Sequence, residues 1–513
     1  MRTVFYQLGE WALILSIYAL PGTAVWDGES LCWAIAVVLA TSAVCLYNAE
    51  RHRWTSLLLY RVVLPHSIAY RRGSSSFLGA IPFLYTFFNH VRPLGPWSPS
   101  AATLVELLGY TFSDSLRPLL SLQIHALGKV LAGTSLKEVE LSLISQAFAA
   151  FTWRYLHQDC TFYETLLFGM LWGLLVACTA ATPFLQQSIK LAKIRPQHRP
   201  KHCAKLKLAT AAKAYVVMVL VVLFAVRPWL GKTLGQDPFF WLISYLTVPR
   251  LILIAYWLAV AGTGVIVVIY FWGSKPVGGL SGLPRNAIKL LAPKDDDVFF
   301  EDEDTQQRRS RALDRRRKFF HGLVVVLFLP TLNRDPPLSY LALSLATAAF
   351  IFEEVIRVAV VAPFGIPIHK FLSGFTDTRD HAGHLVVSHL FLLLGVSAPV
   401  WISLTDSTSP HIALLSGVLT LGVGDAAASI VGKKFGKHKY PGLEKSLEGT
   451  LAFIVAVALG GAIAAAFGWT GTPLTASSRA RFLVGAIMTS LMEGISSEND
   501  NLIIPMYMWC WVW

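Results

Sequence analysis

The residues from Leu421 to Thr450 combine the side chains and the backbone that bind phosphate groups. Glycines let backbone N–H groups approach an anion closely, and lysines neutralise phosphate charge. The carboxylates of Asp425 and Glu448 are of the kind that holds a divalent cation bridging phosphates. Long apolar segments lie on both sides of this stretch. The pattern therefore predicts a nucleotide polyphosphate site at a membrane surface.

This stretch matches neither GxxxxGK[ST] nor GxGxxG, so no standard phosphate-loop motif identifies it. An alternative interpretation is tight helix packing by Gly422 and Gly424, followed by an ordinary basic loop. That alternative leaves Asp425 unexplained, because a carboxylate beside a small-residue helix segment needs a cation or a hydrogen-bond donor.

Four further polar clusters interrupt the apolar sequence. They are Arg317, Lys318 and His321; Glu353, Glu354 and Arg357; Asp377, Arg379, Asp380, His384 and His389; and Glu493, Asn499, Asp500 and Asn501. Ionisable groups within apolar helices are functional candidates by default. The structural alternatives are interfacial anchoring of the cations, an ion pair, a salt-bridged turn and an interfacial loop. The histidine spacing in the third cluster is not that of a zinc site.

Composition sets the class of protein. Of 513 residues, 54% are hydrophobic and 15% are charged, against about 25% charged in soluble domains. The apolar runs are continuous, which disfavours a β-barrel and predicts an all-α, polytopic membrane protein. The net charge of +13 is attributed to cytosolic loops that face anionic membrane lipids, and no nucleic acid partner is expected. The six scattered cysteines indicate neither disulfides nor zinc.

A membrane-spanning helix needs about 20 mostly apolar residues, and on that basis the chain holds roughly 13 to 15 such helices. The first is expected near the N-terminus as a retained helix rather than a cleaved signal peptide. The candidate spans are 11–26, 30–48, 75–90, 101–133, 139–158, 163–185, 208–230, 239–272, 318–332, 338–362, 384–404, 411–431, 449–469 and 480–513, of which 101–133, 239–272 and 480–513 can each hold two.

Three regions follow from this pattern: an N-terminal multi-helix region 1–272, a charged linker 273–317 and a C-terminal catalytic region 318–513. The linker is also interpreted as disordered. Basic clusters in 188–208 and 273–317 place both loops in the cytosol by the positive-inside rule. Counting helices from the linker then brings the polar clusters and the loop 432–448 to the cytosolic face.

Five motifs, taken in order, resemble the dolichol kinases and their polyprenol and phytol kinase relatives. They are RKFFH at 317–321, FIFEEVIR at 350–357, DTRD followed by His389, GVGDAAASIVGKKFG with YPGLEKSLEGT within 422–450, and EGISSENDNLIIPMY at 493–507. The resemblance covers about 320–510, and five ordered motifs are far more specific than any one of them.

The resemblance implies transfer of the γ-phosphate of CTP to the terminal hydroxyl of dolichol or a polyprenol, in the endoplasmic reticulum membrane. The product, dolichyl phosphate, is the lipid carrier for protein glycosylation, and the site would face the cytosol. The nucleotide-binding residues that it implies are Gly422, Gly424, Asp425, Gly432, Lys445, Ser446, Glu448 and Gly449. Lysines 433, 434, 437 and 439 have weaker support in the family pattern.

Phosphoryl transfer is mostly positioning and charge neutralisation, which suggests roles for these residues. Asp425, with Glu448, would hold a divalent metal (Mg²⁺, with Ca²⁺ or Mn²⁺ as alternatives), and Lys445 would contact the β- and γ-phosphates. The candidate catalytic carboxylates besides Asp425 are Asp380, Glu354 and Asp500, among which the sequence does not choose a base. The residues expected to orient substrate or phosphate are Arg317, His321, Arg357, Arg379, His389, Glu493 and Asn501.

Three alternative functions are open at the level of sequence. Another prenol or phytol kinase would use the same motifs, but such chains are usually shorter. A CTP:phosphatidate cytidylyltransferase would also use CTP at a membrane, but the paired Lys-Asp and the His-Gly-Gly signature of that class are absent. A transporter would predict inverted repeats and polar residues near the bilayer midplane, whereas the polar residues here are expected at one face.

Overall fold

A computed structural model describes residues 124–125, 128, 135–156, 160–194, 202–272, 303–372, 385–404, 411–441, 443–471, 473–496 and 499–513. The described residues form helices and their connections, with no strand among them. The one extended feature there is an isolated antiparallel bridge between Lys439 and Ser446. This confirms the all-α fold class that composition predicts.

The helices are numbered here in chain order. They are α1 Glu138–Leu156, α2 Phe162–Lys193, α3 Cys203–Val221, α4 Arg227–Leu234, α5 Pro238–Tyr245, α6 Val248–Trp272, α7 Glu303–Phe328, α8 Pro336–Val358, α9 Gly365–Leu372, α10 Ser388–Ser403, α11 Ala426–Phe435, α12 Leu447–Ala466, α13 Ala476–Ile495 and α14 Asp500–Val512. Two π-helical segments, Val222–Val226 and Val418–Asp425, and a 3₁₀ turn, Ile412–Leu415, connect some of them.

Four helical segments in the described part are long and apolar enough to cross a membrane. They are Phe162–Lys193 (α2), Cys203–Leu234 (α3 and α4 with the π-helical segment between them), Val248–Val268 (most of α6) and Leu447–Ala466 (α12). Their large apolar side chains are extensively exposed. Leu258 and Ile266, for example, are 69% and 67% exposed. Exposed apolar surface on this scale is the character of a helix that faces lipid. The chain is therefore a polytopic α-helical membrane protein, while the count of 13 to 15 helices includes 1–123, which lie outside the described residues.

Two of the segments that can each hold two helices do so. The segment 239–272 divides into α5 and α6 at Leu246–Thr247, and 480–513 divides into α13, which ends at Ile495, and α14, which begins at Asp500. The helix predicted at 318–332 begins at Glu303, within the segment predicted as a linker. Hydropathy predicts the start of a helix where the apolar residues begin. Helix α7 begins earlier because the charged residues that precede its apolar part have good helix propensity.

The described residues divide into two compact units. One comprises the described chain up to Cys160 together with Leu394–Trp513, and the other is Thr161–Leu393. The boundaries at 272 and 317 are predicted from polarity and not from packing, and they stay a prediction. Helix α1 belongs to the same unit as the C-terminal helices.

The core of the second unit is built from small residues. Ala177 and Ala181 of α2 pack with Ala211 and Ala214 of α3, and Ile356 of α8 lies in the same cluster. Small side chains let helix backbones approach closely, which substitutes for the hydrophobic driving force that lipid removes.

The first unit is centred on α12 and α14. Phe453 and Tyr507 are completely buried, and the indole N–H of buried Trp509 donates a 2.8 Å hydrogen bond to the Ser403 hydroxyl. Such a bond satisfies a polar group that would be costly to bury alone. This unit carries the polar residues described next.

Candidate nucleotide and phosphate site

Lys445 lies between two carboxylates that come from distant parts of the sequence. Its Nζ is 2.9 Å from Glu493 Oε1 at the end of α13 and 3.0 Å from Asp500 Oδ2 at the start of α14. The ammonium also donates to the backbone carbonyl of Glu493. We refer to these three residues as the lysine–carboxylate cluster. It joins the predicted nucleotide stretch to the predicted substrate-orienting motif at 493–507.

The environment of the cluster keeps its lysine charged. Burial acts to lower the pKa of Lys445, but the carboxylates of Asp500 and Glu493 raise it well above its usual range. The Lys445 side chain is 31% exposed and that of Asp500 30%, whereas the Glu493 side chain is 9% exposed. A permanently charged, partly accessible ammonium is suited to contact an anionic ligand.

A short hairpin, formed where His438–Tyr440 pairs with Lys445–Leu447, fixes the backbone of Lys445. The amide of Tyr440 donates to the Lys445 carbonyl at 2.9 Å, and the amide of Leu447 donates to the His438 carbonyl at 2.9 Å. Ser446 begins α12 as its N-cap, since its hydroxyl accepts from the Gly449 amide at 3.2 Å. Ser446 therefore has a structural role here, and its predicted nucleotide contact stays a prediction.

The carboxylate of Glu448 anchors the hairpin. It accepts hydrogen bonds from the amides of Lys437 and His438, at 3.1 Å each to Oε1, and lies 2.7 Å from His438 Nδ1. Its position in the first turn of α12 also favours a negative charge. The geometry accounts for this residue without a metal ion, and its role as a metal ligand stays a prediction.

The predicted glycines lie where helices approach each other. A methyl group added to Gly424 would meet the Phe453 ring and Val457 Cγ2, both at 2.8 Å. One added to Gly449 would lie 3.0 Å from the Ala428 carbonyl, and one added to Gly432 would lie 3.1 Å from the Ser446 hydroxyl. This is the close packing of the alternative interpretation, and nucleotide contact by these glycines stays a prediction.

Asp425 ends the π-helical segment Val418–Asp425, immediately before α11. Such widened turns occur often at functional sites. Its charge acts on Glu493, so the two carboxylates lie within electrostatic reach of each other. Gly422, earlier in the same segment, is buried.

Tyr440 is a residue of this site that is not among the predicted site residues. Its hydroxyl is 2.9 Å from the Thr450 hydroxyl, and a methyl group added to Gly494 would lie 3.1 Å from its ring. Tyr440 thus connects the hairpin to α12 and α13. The motif YPGLEKSLEGT begins at this residue, but the motif assigns it no role, because its partners are defined by packing alone.

The Glu354 and Arg357 side chains of α8 form a buried ion pair in the second unit. Arg357 donates to both Glu354 oxygens, with Nε at 2.7 Å from Oε2. Glu354 also accepts from the Val386 amide at 2.7 Å, and His369 lies 3.3 Å from Arg357. An ion pair is the alternative that the sequence offers, and here it extends to a loop and to α9. The predicted catalytic role of Glu354 and the phosphate-orienting role of Arg357 stay predictions.

The remaining predicted residues are placed as follows. His321 is buried on α7, with its Nδ1 2.8 Å from the Arg317 carbonyl, and His389 lies with its ring centroid 5.3 Å from that of Phe350. Asn501 is buried in the first turn of α14. Asp377, Arg379, Asp380 and His384 lie outside the described residues. Substrate roles for all of them stay predictions.

Comparison with known proteins identifies relatives of the chain. It is 36% identical over 318 residues to the dolichol kinase sec59 of Schizosaccharomyces pombe, which covers 60% of this chain and 57% of that protein. It is 32% identical over 304 residues to the dolichol kinase of Homo sapiens, covering 57% of this chain and 51% of that protein. With the dolichol kinase of Saccharomyces cerevisiae it shares 36% over 205 residues, covering 39% and 36%.

No family model matches the chain, and no solved structure matches it. The chain spans about half the length of the curated relatives named above from Schizosaccharomyces pombe and Homo sapiens. The resemblance indicated by the five motifs is nevertheless confirmed by these alignments: over roughly 60% of its length, this chain is related to the dolichol kinases.

Proposed function

We propose that this chain is a kinase that phosphorylates dolichol or a closely related polyprenol within a membrane. The observation that carries the proposal is the 31–36% identity to proteins named dolichol kinase from fungi, mammals and a plant. The membrane-spanning helices agree with it, because a long isoprenoid alcohol does not leave the bilayer. Lys445 lies two residues before a candidate span, Leu447–Ala466, so its position supports chemistry at a membrane surface.

We propose CTP as the phosphate donor, on the strength of the resemblance to the dolichol kinases. The hydroxyl oxygen of the lipid attacks the γ-phosphorus and forms the new O–P bond, while the bond to the β-phosphate oxygen breaks and CDP leaves. The hydroxyl proton passes to a carboxylate. Both described candidates are ion-paired. Asp500 is our proposed acceptor, because its side chain is 30% exposed beside Lys445, whereas that of Glu354 is 12% exposed and is held by Arg357 and the Val386 amide.

A divalent cation fits the charge of this site. The lysine–carboxylate cluster offers two carboxyl groups and only one ammonium, and Asp425 is a third acidic side chain that acts electrostatically on Glu493, so the site has no surplus of positive charge. A nucleotide triphosphate would be repelled without a compensating cation. No group of three His, Cys, Asp or Glu side chains among the described residues could hold a metal ion, but Mg²⁺ often needs one or two carboxylates plus substrate phosphates. We propose Asp425 as that ligand.

We further propose that the site faces the cytosol at the endoplasmic reticulum and that the product serves protein glycosylation. Basic loops on the predicted cytosolic side support the orientation. The compartment and the glycosylation role rest on the family resemblance.

The test is transfer of label to dolichol by the purified full-length chain, with γ-labelled CTP and γ-labelled ATP in parallel reactions containing Mg²⁺. We expect labelled dolichyl phosphate from CTP. Label from ATP alone would overturn the choice of donor. No labelled lipid from either donor, together with CDP-lipid formed from α-labelled CTP and phosphatidate, would replace the kinase with a cytidylyltransferase.

The variant Asp425→Ala tests the site in the same assay. Loss of a metal ligand removes several kcal/mol of transition-state stabilisation, so we expect activity to fall about 100-fold or more while the protein accumulates normally. The control is Glu444→Ala, which removes an exposed carboxylate from the hairpin and should leave activity intact. Near-normal turnover by Asp425→Ala would remove this residue from the site.

A further inference from the structure

Glu140, in the N-terminal region 1–272, lies against the start of the helix that carries Asp500. Its side chain is almost completely buried, at 1% exposed. Its Oε1 accepts a 3.0 Å hydrogen bond from Asn499 Nδ2, although 359 positions separate the two residues. Both belong to the same compact unit. Burying a carboxylate is costly unless it is hydrogen-bonded, so this contact with Asn499 offsets the cost of burying Glu140.

The contact joins the N-termini of two helices. Glu140 is the third residue of α1, and its Oε2 accepts from the Lys137 amide at 2.9 Å, which is one half of a capping box. Asn499 is the N-cap of α14, and its Oδ1 accepts from the Asn501 amide at 3.2 Å. Both ends of the Asn499 amide are therefore occupied, one by its own helix and one by Glu140.

The next residue after Asn499 is Asp500, whose carboxylate binds Lys445. We infer that Glu140 is a positioning residue for the lysine–carboxylate cluster: it holds Asn499, and thereby the first turn of α14 and Asp500, in place. This inference rests on the proposed function, and it gives the N-terminal part of the chain a defined role in the site. Misplacement of a reacting group by about 1 Å can cost about 100-fold in rate.

The test exchanges the donor and the acceptor of the hydrogen bond. Asn499→Asp keeps the helix cap, because aspartate accepts from the Asn501 amide as asparagine does, but it cannot donate to Glu140. We expect kcat for dolichol phosphorylation to fall about 10- to 100-fold. Glu140→Gln in the same chain restores a donor opposite the introduced carboxylate and keeps an acceptor for the Lys137 amide. The double variant should therefore regain kcat to within a few-fold of wild type.

The matched control is Ser145→Ala. Ser145 is buried on the same helix, and its hydroxyl donates to the Leu141 carbonyl within that helix, so its loss should leave kcat unchanged. Melting temperature is measured for every variant in the same detergent. If Asn499→Asp lowers the melting temperature while the folded protein keeps its kcat, or if Glu140→Gln fails to restore kcat, the positioning role is overturned.

The outcome for wild type separates the two proposals. A wild-type chain that does not phosphorylate dolichol refutes the proposed function, and the melting temperatures of the four exchange combinations then test the Glu140–Asn499 contact alone. Independent, additive changes in melting temperature would show that the two side chains do not interact.

Discussion

Lys445 shows how one side chain can serve both the fold and the proposed chemistry. It lies between two carboxylates that would otherwise repel each other, and its side chain remains 31% exposed for a phosphate group. Removing one member of a buried charge pair is costly, because the partner is left uncompensated. The fold and the ligand therefore make separable demands on this residue.

Lys445→Met separates those demands. We expect the apparent KM for CTP to rise about tenfold or more, since a charge-assisted hydrogen bond contributes about 1.5–3 kcal/mol, and the melting temperature to fall. Adding Glu493→Gln removes one of the uncompensated negative charges and should restore part of the stability without restoring the KM. Steady-state kinetics and thermal unfolding measure the two effects.

The control is Lys439→Met, which removes an exposed lysine from the same hairpin and should alter neither quantity. If the double variant Lys445→Met/Glu493→Gln regains both stability and nucleotide affinity, Lys445 acts only through the fold.

At the scale of elements, the central arrangement is a widened helix followed by a tightly packed pair. The π-helical segment ends at Asp425, and α11 then packs on α12 through Gly432 and Gly449. Because Gly432 and Gly449 have no side chains, Ser446 can begin α12 close beside α11, with the hairpin between the two helices. These glycines let the two helices pack closely. The nucleotide interpretation also requires glycine, because the lack of a Cβ lets the backbone approach a phosphate.

Gly424→Ala distinguishes those two interpretations. The added methyl group would meet Phe453 and Val457 at 2.8 Å, and overpacking of this kind costs about 1–3 kcal/mol. We expect a lower melting temperature with an unchanged KM for CTP in the folded protein. A raised KM at unchanged stability would instead assign Gly424 to the nucleotide.

Gly262→Ala is the control for this substitution. An alanine there would meet nothing within 4 Å, so stability should stay equal or rise slightly, in line with the helix propensity of alanine.

At the scale of the whole molecule, the distribution of basic loops predicts one orientation of the chain in the bilayer. The hairpin of Lys437 and Lys445 precedes one candidate span, and Gln236 lies in the connection between two others. Helix counting from the basic loops places Lys437 in the cytosol and Gln236 on the opposite side.

Single cysteines at these two exposed positions test that orientation in a cysteine-free background. We expect a membrane-impermeant thiol reagent added to sealed microsomes to label Lys437→Cys, and to label Gln236→Cys only after permeabilisation. The opposite pattern would invert the topology, and labelling of both from outside would show that the helix count between them is wrong.

The sequence determines much of this protein by itself. Continuous apolar runs require helices, because a backbone in lipid must satisfy its own hydrogen bonds. Local rules also place caps such as Ser446 and Asp335, whose partners lie only three residues away. The five motifs indicate the relatives without coordinates, since ordered similarity does not depend on knowing what each residue contacts.

The tertiary structure decided which of those residues meet. Lys445 finds its carboxylates 48 and 55 positions away, and Glu140 finds Asn499 across 359. Helical periodicity specifies the face on which a side chain lies, but it carries no information about which other helix packs there. For that reason the sequence could name Lys445, Glu493 and Asp500 separately, while only the packing of α12, α13 and α14 showed them as one cluster held from the N-terminal region.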